Sequence, residues 1–320
     1  MRRALGVILV AATAGGSSSA GPAVRLDELQ LAKLGAMVRA VNAGDAHAYA
    51  MVYAPDAVIT IHGGDVLKGR AAIEAYEVGL LHEFPGARLG FHDVWLKGSS
   101  AVVHYAVSGR TPGGQAMGHE GLLFYRFLPA GKVAEERRYL DSLTPMAQLG
   151  ALGAVSARAI PAVPAALQAH VAAAGAPNRG ETENLARVRA IFAALDAKDE
   201  AAFLSGLADD AIVDDMIEPQ PRNGKAGAKA WFQSRVRAVA DGRTEIATAL
   251  AVGDSVLVEA VLRGTLRGAI GPVSASGKPF AAHQAAIVHV RAGRVRRLTT
   301  FMNGKELAQA AGQWPPTPPK

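Results

Sequence analysis

With no cysteine among its 320 residues, this chain can do chemistry mainly through its nine histidines and its carboxylates. Lacking thiols, it has no thiolate nucleophile, no disulfide and no cysteine-ligated metal. Proton transfer is what remains. His62 ends an alternating run, on the same face as Val58 and Thr60, and Gly63-Gly64 keep that edge open. His104 and His119 fall inside segments that read as central strands, with Tyr105 on the opposite face from His104. Alternation along a later strand puts Val133, Glu135, Arg137, Tyr139 and Asp141 on one face. Three histidines and a carboxylate converging on one pocket would form an acid/base set, because imidazole titrates near neutrality. A carboxylate in an apolar pocket has its charged form disfavoured, which raises its pKa towards the working pH. Arg137, if it also points inward, would pair with Asp141 or Glu135 and hold the carboxylate ionised. The competing readings are structural: Asp141 as the cap of a helical turn before Met146, and each histidine as a satisfied core or surface residue.

Other chemistries lack their signatures. No two histidines stand at i, i+2 on a strand or i, i+4 on a helix, and His82-Glu83 runs into Phe-Pro, so no metal is expected. There is no Gly-rich phosphate loop and no G-x-S-x-G elbow. A net charge of +6 raises the question of nucleic acid. The basic residues are scattered, however, and the run Glu135-Glu136-Arg137-Arg138 mixes signs, so no nucleic-acid partner is expected.

The elements that must position these residues occur twice. Leu31, Leu34, Val38 and Val41 step along one helix face, and Leu185, Val188, Phe192 and Leu195 repeat the spacing. Asp45 and Asp199 then predict N-caps of short second helices carrying Tyr49 and Phe203. Alternating strands follow at Pro55–Ile61 and Asp209–Asp215, then third helices opening at Gly69 and Gly224. Val-rich strands at Ala101–Val107 and Val256–Leu262 come next, and the last strand pairs turn at 130–132 and 292–294. The fold class expected is α+β, in two cone-shaped domains, each a curved antiparallel sheet packed on helices around an apolar pocket.

The expected organisation is a signal peptide at 1–24, domain one at 25–150, a Pro/Ala-rich linker at 151–180, domain two at 181–312 and a disordered tail at 313–320. Arg2-Arg3, the apolar run Ala4–Ala14 and the small residues Ser18 and Ala20 have the order of a cleavable leader, implying a periplasmic or secreted protein. That apolar run is too short to span a bilayer. Within the linker, Ala165–Ala174 has the composition for a helical turn or more.

The closing stretch Gly131-Lys-Val-Ala-Glu-Glu-Arg-Arg-Tyr-Leu-Asp141, followed by Met146-Ala-Gln-Leu-Gly150, resembles the C-terminal signature of SnoaL-like polyketide cyclases (ester cyclase-like), members of the NTF2-like superfold. The resemblance covers 27–150 well and 181–312 less well, where Asn303-Gly-Lys-Glu-Leu replaces the Asp-containing segment. It implies a cofactor-independent cyclase or isomerase acting on a small apolar carbonyl compound, with Asp141 as acid/base and His62 and His119 assisting. His104, Tyr139, Arg137, Asn303 and His283 would contact the substrate. Arg137 departs from the family pattern, which usually has an aromatic residue there. The same superfold hosts ligand carriers and interaction modules, so a non-enzymatic module binding an apolar ligand is the alternative. Purely structural, filled cones are a third reading, with Phe124 or Trp95 as the plugs. Because Asn303 cannot act as a general base, the second copy reads as a partner to the first, giving an intramolecular pseudo-dimer or else a homodimer.

Overall fold

The computed structural model describes residues 25–315; the signal peptide expected at 1–24 and the end of the tail expected at 313–320 lie outside the described residues. The first copy runs α1 (Leu26–Ala43), α2 (Ala46–Ala50), β1 (Tyr53–Ile61), β2 (Val66–Lys68), α3 (Arg70–Glu83), β3 (Arg88–Lys97), β4 (Ser100–Arg110), β5 (Ala116–Phe127), β6 (Val133–Leu140) and α4 (Leu143–Gln148). A connecting strand β7 (Gln168–Ala172) follows. The second copy runs α5 (Arg179–Ala197), α6 (Glu200–Ser205), β8 (Leu207–Asp215), β9 (Arg222–Asn223), α7 (Gly224–Ala238), β10 (Arg243–Val252), β11 (Ser255–Thr265), β12 (Pro279–Arg291), β13 (Arg294–Met302) and α8 (Gly304–Ala311).

Sheet order is β2-β1-β6-β5-β4-β3-β7 in the first copy and β9-β8-β13-β12-β11-β10 in the second, strand for strand the same apart from β7. The long strands pair as antiparallel hairpins, whereas β1 joins β6, and β8 joins β13, in parallel. The expected α+β class therefore holds in both copies. Local chemistry explains the helix starts. The Asp45 and Asp199 carboxylates accept from Ala48 N at 2.8 Å and Ala202 N at 2.9 Å, satisfying amides that the first turn leaves free. On α1 the buried line is Gln30, Leu34, Met37 and Val41. Leu31 and Val38 are only half-buried on its flank, so the stripe is rotated slightly from the one expected.

Residues 165–174 do not form a helical turn. β7 instead extends the first sheet in parallel with β3, pairing Trp95 with His170. The reason is an open edge: β3 has unpaired backbone groups on that side, and a nearby chain segment satisfies them. The approach to β7 lies close on the sheet, since a Cβ at Gly90 would stand 2.4 Å from Pro164 O.

Each sheet has two buried faces. The inner face packs on its own helices, with cores built around Leu34, Tyr53 and Phe91 in one copy and Val188, Phe203 and Trp231 in the other. The outer faces meet each other. Trp95, Val102, Leu122, Phe124 and Tyr139 form one buried cluster with Met216, Leu257, Ile287 and Phe301. Trp95 and Phe124 are thus packed between the sheets and do not plug a cone.

Candidate functional site

Inside the first cone lies a cavity of about 180 Å³, walled by Met37, Tyr76, Glu77, Phe91, Tyr105, His119, Leu123, Tyr125, Glu136 and Arg138 among others. Each polar wall residue is placed by a strand or helix period. Tyr105 on β4, His119 and Tyr125 on β5, and Glu136 and Arg138 on β6 alternate onto the inner face. Glu77 stands four residues after Ile73 on α3, and these two are the buried residues of that helix. Gly121 is needed for this arrangement, because a Cβ there would lie 2.5 Å from the Tyr105 ring.

A hydrogen-bonded network crosses the cavity floor. Tyr53 donates its hydroxyl to Glu136 Oε2, Tyr49 and Tyr53 share a bond of 2.9 Å, and Arg138 Nη2 donates to Tyr49 at 2.9 Å. Arg138 Nε also donates to Glu136 Oε1, closing an ion pair whose carboxylate is fully buried. Burial opposes the Arg138 charge, yet Glu136, Tyr49, Tyr53 and Glu77 together hold its pKa above the ordinary value. Burial, with Glu136 adding to it, pushes the Tyr53 phenol well up, so that proton stays on the tyrosine. Glu77 differs from Glu136. It is 5 % exposed, and burial raises its pKa against the pull of Arg138. It has no hydrogen-bond partner among the described residues. A buried carboxyl facing a cavity, unpartnered and harder to ionise, is the usual condition of a general acid/base.

The sequence-derived set is divided by the structure. Among those residues only His119 reaches the cavity; its Nε2 lies 3.1 Å from the Tyr105 hydroxyl, and burial lowers its pKa to about 4, keeping the ring neutral. The others lie where the two copies meet. His62 stacks on His283 with ring centroids 4.0 Å apart and packs against Tyr139 at 4.6 Å. Its pKa also falls to about 4, through burial first and then His283 and Arg137. Arg137 clamps Glu259 through two bonds of 2.6 and 2.8 Å, and Tyr139 donates to the same carboxylate at 3.0 Å. His104 pairs with Glu120 at 3.1 Å, and His283 with Glu306 at 2.7 Å. Asn303 caps α8 by accepting from Lys305 N at 3.0 Å and donates to the His62 carbonyl.

Asp141 is 3 % exposed and serves as a double cap. It accepts from Leu143 N, Thr144 N and Thr144 Oγ1 at 2.7–3.1 Å on its own copy, and from Gly304 N of α8 at 3.1 Å. Burial raises its pKa against those bonds. Asp141 and His119 share only a crevice of about 10 Å³ beside Arg158 and Pro161. The expectation that Asp141, His62 and His119 share one pocket is therefore corrected. Strand alternation defines two faces, and the face carrying Arg137, Tyr139 and Asp141 is the outer one.

Sequence spacing does not mark Glu77, Glu136 and Arg138 as residues of the cavity wall. Their one visible signal was the coincidence of a carboxylate with the buried register of α3. The second cone lacks the network: strand registers put Leu298 at the Glu136 place and Thr300 at the Arg138 place, and its cavity is only about 40 Å³. There Asp215 accepts from Trp231 Nε1 at 2.9 Å and pairs with Arg235. Asp214 turns the other way, to Arg158 at 2.7 Å and to Arg297.

A SnoaL-like domain family model matches twice, at residues 34–136 and 188–298. Solved structures match one copy's length at a time. A candidate SnoaL-like polyketide cyclase from Jannaschia sp. CCS1 is 19% identical, covering 44% of this chain and 99% of its own, with a TM-score of 0.40. A protein of ketosteroid isomerase-like fold from Catenulispora acidiphila, crystallised with trimethylamine, is 21% identical over 41% of this chain and 97% of its own, with a TM-score of 0.36. A candidate polyketide cyclase from Pseudomonas putida KT2440 is 25% identical over 39% and 94%, with a TM-score of 0.34. Curated proteins provide no match. Two family matches, each on a sheet of the same strand order, place this chain in the SnoaL-like domain family as a tandem of two such domains.

Proposed function

We propose that the first cone takes up a small, mostly apolar carbonyl compound and moves a proton on it, with Glu77 as the acid/base. The observation that carries this reading is Glu77 itself: buried in the cavity wall, unpartnered among the described residues, and with its pKa raised by burial. Arg138 would meet the carbonyl oxygen with Nη1, since its Nε and Nη2 are taken by Glu136 and Tyr49. Charge developing on that oxygen in an enol-like transition state is then stabilised in a water-poor site. The volume suits one ring or a short chain, given that a cavity of roughly 150 Å³ holds benzene. This reading moves the acid/base role from Asp141, whose oxygens are committed to helix amides, to Glu77. In the same proposal the second copy is the built-in partner that covers the outer face of the first sheet, and the chain works outside the cytoplasm after loss of residues 1–24. Among the described residues no helix is long and apolar enough to cross a membrane.

The test is proton exchange. The full chain is incubated in D₂O with a panel of small ketones and cyclic enones, and α-proton loss is followed by NMR. Exchange that falls by about 10²-fold or more in Glu77→Gln, with binding retained, supports the proposal. Equal exchange by both proteins refutes it. Binding with no exchange in the wild type favours the alternative, a carrier domain, for which the largely apolar cavity lining is the supporting observation.

A further inference from the structure

A second cluster stands apart from the cone, on the outer face of the first sheet. His92, His104 and Glu120 come from the adjacent strands β3, β4 and β5, and their potential ligand atoms all lie within 4.8 Å of one another. A β-bulge makes this possible. The β3–β4 register shifts between Phe91 and Asp93, which puts both His92 and Asp93 opposite His104 instead of sending them to alternate faces. His104 Nε2 lies 3.1 Å from Glu120 Oε2, and His92 Nε2 lies 3.9 Å from Glu120 Oε1. That His92 nitrogen is buried and has no hydrogen-bond partner. An orphaned imidazole nitrogen aimed at a carboxylate oxygen costs stability unless something occupies the gap between them.

We propose that His92, His104 and Glu120 bind a divalent cation of the Zn²⁺ class, with the fourth position left to water or a ligand atom. Two imidazoles and one carboxylate are a borderline donor set that suits Zn²⁺ over Mg²⁺ or Ca²⁺. With metal–ligand bonds of about 2.0–2.2 Å, tetrahedral ligand atoms lie roughly 3.3–3.5 Å apart. The observed 3.1 and 3.9 Å, one to each Glu120 oxygen, bracket that spacing, and all three ligand atoms lie within 4.8 Å of one another, so modest side-chain shifts complete the site. The three side chains keep between 16% and 30% of their surface, which leaves a path for the ion. The second copy supplies an internal contrast. It has the same bulge, between Ile246 and Thr248, but Ala247 occupies the His92 place. Its two remaining equivalents, Glu259 and His283, are committed to Arg137 and Glu306.

Metal-stripped full chain titrated with Zn²⁺ by calorimetry, and with Co²⁺ by visible absorption, tests this directly. One ion per chain is expected, with the intense visible bands of tetrahedral Co²⁺. His92→Ala and Glu120→Gln should each weaken binding at least about tenfold, while His47→Ala, at the exposed pair with Glu74, should leave it unchanged. Circular dichroism checks that each variant folds; if His92→Ala does not, Glu120→Gln carries the comparison. Absence of stoichiometric binding, or binding that persists unchanged in the folded variants, overturns the proposal.

Discussion

His119 shows how much one side chain's surroundings decide. Its ring sits at the wall of the first cone with Nε2 against Tyr105, and Nδ1 is buried without a partner. Burial therefore depresses its pKa from 6.5 to about 4. The folded chain keeps this imidazole neutral, while the unfolded chain takes up a proton near pH 6.5. Between those two values the unfolded state binds more protons, so stability falls as pH drops from about 6.5 to about 4. His62 contributes a loss of the same sign over the same window. Urea unfolding of wild type and His119→Gln at several pH values from neutral to pH 4 measures the first contribution. The glutamine variant should lose less stability on acidification, by on the order of 2 kcal/mol. Parallel curves for the two proteins would show that the imidazole does not titrate differently on folding.

Among the helices, the two short closing ones, α4 and α8, share a single carboxylate at their starts. Asp141 satisfies the first amides of α4 and also Gly304 N, the first helical amide of α8 in the other copy. The approach is close enough that a Cβ at Gly304 would lie 2.6 Å from Asp141 Oδ1. Asp141→Ala should therefore cost about 2–4 kcal/mol, the loss of a cap plus a buried amide left unpaired, and Asp141→Asn less, because one oxygen remains. Thermal unfolding reads the order; an alanine variant as stable as wild type would remove the capping role. The same residue marks the limit of sequence reading. The repeated order of the main elements within each copy, both Asp caps and the equivalence of Asp141 with Asn303 follow from spacing, whereas β7 does not. Which face of β6 looks into the cone does not either, because a sheet packed on both sides carries large and polar residues on both. Alternation along the run Glu135-Glu136-Arg137-Arg138 separates its members by face but does not say which pair looks inward. In the fold the run splits, Glu136 and Arg138 going to the cone and Arg137 to Glu259 of the other copy. The bulge at His92 is likewise silent, since no residue type in β3 announces a register shift.

In the whole molecule, the two copies are joined by an apolar centre and by ionic contacts whose carboxylates are buried. Glu259 is 4% exposed and receives two bonds from Arg137 and one from Tyr139. Arg158 reaches from the connecting segment to Asp214 and to the Glu218 carbonyl, and Lys97 of the first copy binds Glu181 of the second at 2.9 Å. Such contacts stabilise only as complete pairs, because a buried charge that has lost its partner retains the full desolvation cost. Arg137→Ala should accordingly destabilise the junction by about 3–5 kcal/mol, more than its half-exposed position suggests. Each copy has its own helix-packed core, so that loss falls on the coupling between copies rather than on either core. Calorimetry of the full chain should show one cooperative transition for wild type and two for Arg137→Ala. Adding Glu259→Ala to Arg137→Ala removes the stranded carboxylate and should restore part of the lost stability, whereas removal of an independent surface contact would make the double variant no more stable than the single. The direction of that second step therefore decides whether Arg137 and Glu259 act as one buried unit that ties the copies together.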